Sequence, residues 1–198
     1  MRYLLIFVFN FILIPRIFGQ ASIKVLDSKV SPKGDIEIQY TDNDSCICMD
    51  IWLVSKEDTT QRFMLDSATT LGTKYFFSPD EKWIAANKEF LSNYRTIILY
   101  KRIKGIQYSQ VMVDEIFEKA VKFLSITEHL HHVPVFGHSS AELIRWLPNS
   151  KAFVLEISGW DNNQGIKVSN WDCLFNLKTL SISLYKNNHG KVIKQEVK

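Results

Sequence analysis

The residues of this chain with types and spacings suited to chemistry lie mostly in its second half. Gly137-His138-Ser139-Ser140-Ala141 approaches the G-x-S-x-G turn that exposes a nucleophilic serine, and an apolar stretch precedes it. Asp161 or Asp172, then His189, follow in an order that would make Ser139 a nucleophile and His189 its base, with His138 beside them. Ala141 stands where the last glycine belongs, and Ile144-Arg145-Trp146 reads as a strand, leaving no room for the helix such a turn requires. His129, His131 and His132 offer imidazoles for a metal; on an extended segment His129 and His131 share a face, and His138 or Glu128 would have to complete the set. Against that stands a polar linker whose histidines suit the C-terminus of a preceding helix. The acidic stretches Asp42–Ser45 and Asp161–Gly165 resemble calcium loops but lack the glycine and distal glutamate together, and read as turns. Trp160, in the stretch Gly159-Trp160-Asp161-Asn162-Asn163, reads as an aromatic in a polar loop, which makes Trp160, Asp161 and Asn163 the candidate binding residues.

The elements that must position these groups are announced by a recurring turn. Ser31-Pro32-Lys33-Gly34, Ser78-Pro79-Asp80-Glu81 and Leu147-Pro148-Asn149-Ser150 each put proline second, where its fixed φ suits a tight turn, and mostly small or polar residues after it. A strand rich in β-branched and aromatic residues follows each turn, then a polar gap, then another such strand: Ile51-Trp52-Leu53-Val54, Ile97-Ile98-Leu99-Tyr100 and Cys173-Leu174-Phe175. Each unit therefore reads as strand, turn, strand, loop, strand, turn, strand, an antiparallel meander. In the third unit the gap is taken as Gly159 to Asn170. Between the second and third units, Ile116, Phe117, Ala120, Val121 and Leu124 recur at helical spacing, with Glu115–Lys119 and Glu118–Lys122 on the other face.

On these residues the chain resembles the Pro-Asp β-propeller repeats of TolB-type and WD-like proteins, whose signature is W-S-P-D-G-K-x-I-A. "FFSPDEKWIAAN" matches with Glu81 in the glycine position, "RWLPNSKAFVLE" departs at Leu147 and Asn149, and "SPKGDIEIQY" keeps Ser31, Pro32 and Gly34. The chain also resembles a group of uncharacterised exported bacterial proteins carrying an SPD…W turn, a helix and a GHS…RW segment. The first resemblance implies propeller-like sheets acting as a rigid platform; the second implies no activity. Three units are fewer than the four or more blades of a closed propeller, so the inserted helix is expected to cover exposed sheet.

Met1 to Ala21 has a short positive start, an apolar run from Tyr3 to Ile14, the breaker Pro15 and small residues at Gly19 and Ala21, the layout of a secretory signal peptide. The apolar run is short for a membrane span, which needs roughly 20 residues. Arg2 and Arg16 supply two of the formal +3 charges, leaving the rest near neutral, without the basic face that nucleic-acid binding requires. Cys46 and Cys48, two apart on a strand, point the same way and are awkwardly placed to bond each other; a bridge from one of them to Cys173 and three buried thiols are the alternatives.

The expectation is a mainly β protein: three propeller-like units of antiparallel strands over 22–66, 75–110 and 142–185, short of a full closed propeller, with one amphipathic helix over 113–126. A signal peptide at 1–21 precedes this single domain, and a flexible tail follows at 187–198. The functional expectation is a secreted or periplasmic, non-catalytic binding or scaffold module for an envelope protein or glycan, with no cofactor and no nucleic acid. The alternative is a secreted serine or metal-dependent hydrolase using Ser139 and His189 or the His129–His132 cluster.

Overall fold

The structure, a computed structural model, describes residues 24–43, 48–69, 72–90, 94–112, 115–185 and 190–194. The leader expected at 1–21, Cys46 and His189 lie outside them. The three proline-led turns have one geometry. In each, the first residue's N–H bonds the carbonyl five residues on, and the fourth residue's N–H returns to the first residue's carbonyl. The pairs are Ser31–Ile36 and Gly34–Ser31, Ser78–Trp83 and Glu81–Ser78, and Leu147–Ala152 and Ser150–Leu147, all at 2.8–3.0 Å. The fourth residue is left-handed every time: Gly34 at φ 91°, Glu81 at 59° and Ser150 at 56°. Glycine adopts this conformation freely, whereas a residue with a Cβ is strained there by roughly 1 kcal/mol. Glu81 and Ser150 must therefore be held by contacts, which are described below.

Four strands follow this plan in each unit. β1 (Val25–Val30), β2 (Ile36–Asn43), β3 (Cys48–Ser55) and β4 (Arg62–Thr69) pair antiparallel in chain order. β5 (Lys74–Phe77), β6 (Trp83–Phe90), β7 (Tyr94–Lys104) and β8 (Gln107–Met112) repeat that order, and so do β9 (His138–Trp146), β10 (Ala152–Asp161), β11 (Ile166–Asn176) and β12 (Ser181–Leu184). The second and third meanders share one sheet, because β7 meets β9 in parallel at Tyr94↔Ser139 and Arg95↔Ser140. This seam was not expected. Nor was β13 (Lys191–Lys194), which pairs with β11 inside the stretch expected to be a loose tail. Its Val192 packs against the core of the third meander, while Ile193 points to the other face and stays exposed.

Side chains along the strand after each turn sort by parity. In β6, Ile84 and Ala86 face the first meander with Ile98 and Tyr100 of β7, while Ala85 packs the other way with Ile97 and Leu99. The second meander is thus buried on both faces, which explains why β6 and β7 read as continuous apolar runs. The first meander turns Ile36, Ile38, Ile51 and Leu53 inward, and the third turns Phe153, Leu155 and Ile157 inward. Each such buried side chain contributes about 1.5–3 kcal/mol. The opposite faces of the two outer meanders carry Glu37 and Gln39 on β2, and Glu156 and Ser158 on β10.

The helix α1 (Glu115–Thr127) buries Ile116, Ala120 and Leu124 in the core it shares with the second and third meanders, and buries Val121 as well, as its spacing predicts. It ends on His129, left-handed at φ 50°, with Leu130 N–H bonded to Ser125 carbonyl at 2.9 Å and His129 N–H to Ile126 carbonyl at 3.3 Å. That is the helix stop normally made with glycine. No helix among the described residues is long and apolar enough to cross a membrane.

Three polar joints tie the meanders together. At the first, the Asp66 carboxylate on β4 accepts the Tyr75 and Tyr100 hydroxyls, each at 2.9 Å, and pairs with Lys88 Nζ at 2.9 Å. At the second, Asn87 on β6 bonds both backbone groups of Leu143 on β9. The third joins the turns in series. Lys33 N–H is taken by Glu81 Oε1 at 2.7 Å, and Asp80 N–H by Ser150 Oγ at 2.9 Å. In both cases the third residue of one turn donates to the fourth residue's side chain in the next. Glu81, fully buried, also lies with Oε2 3.5 Å from Arg102 Nη1, and its carbonyl accepts the Tyr108 hydroxyl at 2.6 Å. These contacts offset the backbone strain at the two residues.

Candidate functional site

The outward face of the third meander is built by strand alternation. Along β9, Ser139, Ala141 and Leu143 are buried, while His138, Ser140 and Glu142 point out. Along β10, Ile157 and Asp161 are buried, while Glu156, Ser158 and Trp160 point out. Register sets these residues in rows: His138–Trp160–Lys167, then Ser140–Ser158, then Glu142–Glu156–Asp172. Ser169 and Asn170 form a bulge in β11 beside the middle row, where Ser158 Oγ accepts the Asn170 N–H at 2.9 Å. Tyr94 and Arg95, brought in by the parallel seam, close one side of a groove of about 380 Å³ lined by Trp160, His138, Lys167 and the serines.

Trp160 is half exposed, at 50%. It was expected in a loop, yet it is the penultimate residue of β10, and the strand β11 begins at Ile166, so most of the supposed gap is paired strand. Only the hairpin between them is turn. Its neighbours hold it from behind. Gly159 lies under the Phe136 ring so closely that a Cβ there would come within 2.6 Å of it. The Trp160 carbonyl accepts Gly137 N–H at 3.1 Å. Asp161, only 1% exposed, spends its carboxylate on the N–H groups of Val135 at 2.8 Å, Asn163 at 2.9 Å and Gln164 at 3.1 Å. Asp161 therefore positions Trp160 and cannot itself reach a ligand or a calcium ion, while Asn163 sits exposed in the turn beyond.

The charge on this face is graded. Burial, then the charges of Asp172 and Glu142, push the Glu156 carboxyl above its usual range. Glu142 accepts from Arg95 Nη1 at 3.1 Å, and Arg95 also pairs with Glu89 at 3.6 Å. At the other end of the rows the charge is positive, from Lys167. An aromatic plane beside rows of hydroxyls and carboxylates is an arrangement for hydrogen bonding and stacking.

Of the candidate catalytic residues, Ser139 and His138 fall within the described residues. Ser139 lies within a β-strand, 8% exposed and on the face opposite His138, so the strained strand-to-helix turn of a nucleophile is absent there. His189 falls outside the described residues. His129, His131 and His132 are exposed around the helix stop, and among the described residues no group of three His, Cys, Asp or Glu is placed to hold a metal ion. Glu128 accepts the Trp171 indole N–H at 2.9 Å. Cys173 is a buried unbridged thiol whose burial, with Asp172 nearby, raises it far above the ordinary value, and Cys48 is disulfide-bonded. The bridge to Cys173 is thus not made, since Cys173 points into the apolar core.

Sequence reasoning did not find Arg95, Lys167, Ser140 or Ser158. The alternation of His138-Ser139-Ser140-Ala141-Glu142-Leu143 was the available signal, a strand with one polar face. No family model and no curated protein matches this chain.

Proposed function

We propose that this protein is an exported, non-catalytic binding module. Its three meanders act as propeller-like blades, similar to Pro-Asp repeats, stacked in an open arc. The recurrence of one turn geometry at Pro32, Pro79 and Pro148 supports the blade reading. The polar residues Glu37, Gln39, Glu156 and Ser158 on the two end faces support an arc that stops, since end units of a stacked array need wettable outer faces. The contact surface is the outward face of the third meander, and the partner is a protein or glycan of the envelope. One observation carries this: Trp160 stands half exposed, flanked in register by His138 and Lys167 and braced by buried Asp161 and by Gly159 packed under the Phe136 ring. Such a large aromatic, presented rigidly with hydrogen-bonding neighbours, loses little entropy on binding. Secretion or periplasmic residence rests on the leader read at 1–21.

Co-sedimentation with isolated envelope fractions tests the reading. The wild-type protein is expected to bind saturably, and Trp160→Ala to bind at least about tenfold more weakly, the loss typical of an aromatic hot spot. Equal binding by both proteins would remove this face as the contact surface.

A further inference from the structure

We infer that the groove around Trp160 is a subsite for an acidic saccharide: a sugar ring lies with its C–H face on the indole and its carboxylate on Lys167. This rests on the reading of this face as a binding surface and names the ligand class. Trp160, Ser140, Ser158, His138, Arg95 and Lys167 supply most of the groove's wall, and no aspartate or glutamate lines it. Arg95 is held by Glu142 at 3.1 Å and Glu89 at 3.6 Å. Lys167, by contrast, has no carboxylate within 4.0 Å among the described residues, although it is the cross-strand neighbour of Trp160. An ammonium beside an exposed aromatic plane, with no carboxylate partner among the described residues, matches a ligand that is apolar on one face and negative at one edge.

The rows set the ligand's orientation and limit its charge. Lys167 lies at one end of the face, the serine hydroxyls at the middle, and Glu142, Glu156 and Asp172 at the far end. A uronate fits that order: its carboxylate accepts from Lys167, and its hydroxyls exchange hydrogen bonds with Ser140 and Ser158 in the next row. The carboxylates of the far row, Glu142, Glu156 and Asp172, oppose a second negative charge at that end of the ligand. The groove, about 380 Å³, lies within the size range of small-ligand clefts, roughly 300–1,000 Å³.

Calorimetric titration with oligosaccharides of galacturonate, mannuronate and glucuronate, each alongside its methyl ester, tests the inference. At least one uronate is expected to bind, with its neutral ester roughly fivefold weaker, the effect of losing one partly exposed charge pair. Added salt should weaken the acid and not the ester. Lys167→Ala should equalise the two, and Trp160→Ala should abolish both, with far-ultraviolet circular dichroism and the unfolding midpoint unchanged because both side chains are exposed. Acid and ester bound equally, yet dependent on Trp160, would overturn the acidic subsite and leave the binding surface standing. Tighter binding of a phosphorylated sugar would also overturn it. Failure of every uronate and ester would sink the saccharide assignment; Trp160-independent envelope binding would sink the surface itself.

Discussion

The side chain of Asn87 stands in for a strand: its Nδ2 donates to the Leu143 carbonyl at 3.1 Å and its Oδ1 accepts the Leu143 N–H at 2.8 Å. Leu143 lies on β9 just before a register shift, where Ile144 is skipped between the Leu155↔Leu143 and Val154↔Arg145 pairs. β6 and β9 are not paired strands, so this amide closes the gap between the second and third meanders. Asn87→Ala leaves a buried N–H and carbonyl without partners and is expected to cost roughly 2–4 kcal/mol, counting 1–3 for each unsatisfied group with partial relief by water. Asn87→Asp should recover little, because the carboxylate cannot donate to the Leu143 carbonyl. Denaturant unfolding of the three proteins reads the difference.

The Asp66 joint makes the protein sensitive to alkali. Burial first, then the Asp66 charge, raises Tyr75 and Tyr100 far above the ordinary tyrosine value of 10.0. The folded state therefore holds these phenolic protons more tightly than the unfolded chain. Stability from this source is complete below pH about 10 and is lost as pH rises above it. Unfolding free energy measured from pH 8 to 12 should fall steeply beyond pH about 10, with tyrosinate absorbance appearing in step with unfolding. Asp66→Asn removes one of the causes acting on each tyrosine and should bring the fall to an end at lower pH, with a smaller total loss. It should also cost roughly 1–3 kcal/mol at neutral pH, because the Lys88–Asp66 pair is lost at a largely shielded site.

Gly159 is required by a ring. A methyl at this position would collide with Phe136, so Gly159→Ala is expected to destabilise by about 1–3 kcal/mol, the range for overpacking. Phe136→Leu in the same chain should return part of that loss, the coupling expected of residues in contact. The Trp160 backbone is anchored in this layer, and acrylamide quenching of its fluorescence should change in Gly159→Ala and recover in the double variant.

Cys173 reports global opening. It is wholly buried, and burial raises its thiol out of the reactive range. Ellman's reagent should find it unreactive in the native protein at pH 8 and titrate it at the rate of unfolding. Prompt native reaction would place it outside the core.

The three turns, the strands behind them and the helix were legible because each depends on local chemistry: a fixed proline φ, β-branched runs, and a 3.6-residue apolar period. The site was legible only in part. Trp160 stood out, but Gly159 and the run Asp161-Asn162-Asn163 read as loop, since glycine, aspartate and asparagine favour turns. What makes Trp160 a strand residue is tertiary: the Phe136 ring over Gly159 and the three amides on Asp161. Lys167 and Arg95 joined the site through register and the parallel seam, which no local pattern encodes. Around Ser139 the strand signal in Ile144-Arg145-Trp146 was the legible one: β9 runs continuously from His138 to Trp146.

The links between turns run one way. Each is given by an earlier backbone amide and received by a later side chain, Lys33 to Glu81 and Asp80 to Ser150. Gly34 has no side chain with which to receive. The unit that contains it can therefore stand only at the head of the series, whereas the other two could trade places and keep their acceptors. A chain rebuilt so that the third unit packs ahead of the first would set Asn149 against Gly34 and find no side-chain acceptor there: serial order is written into the fourth residue of a turn.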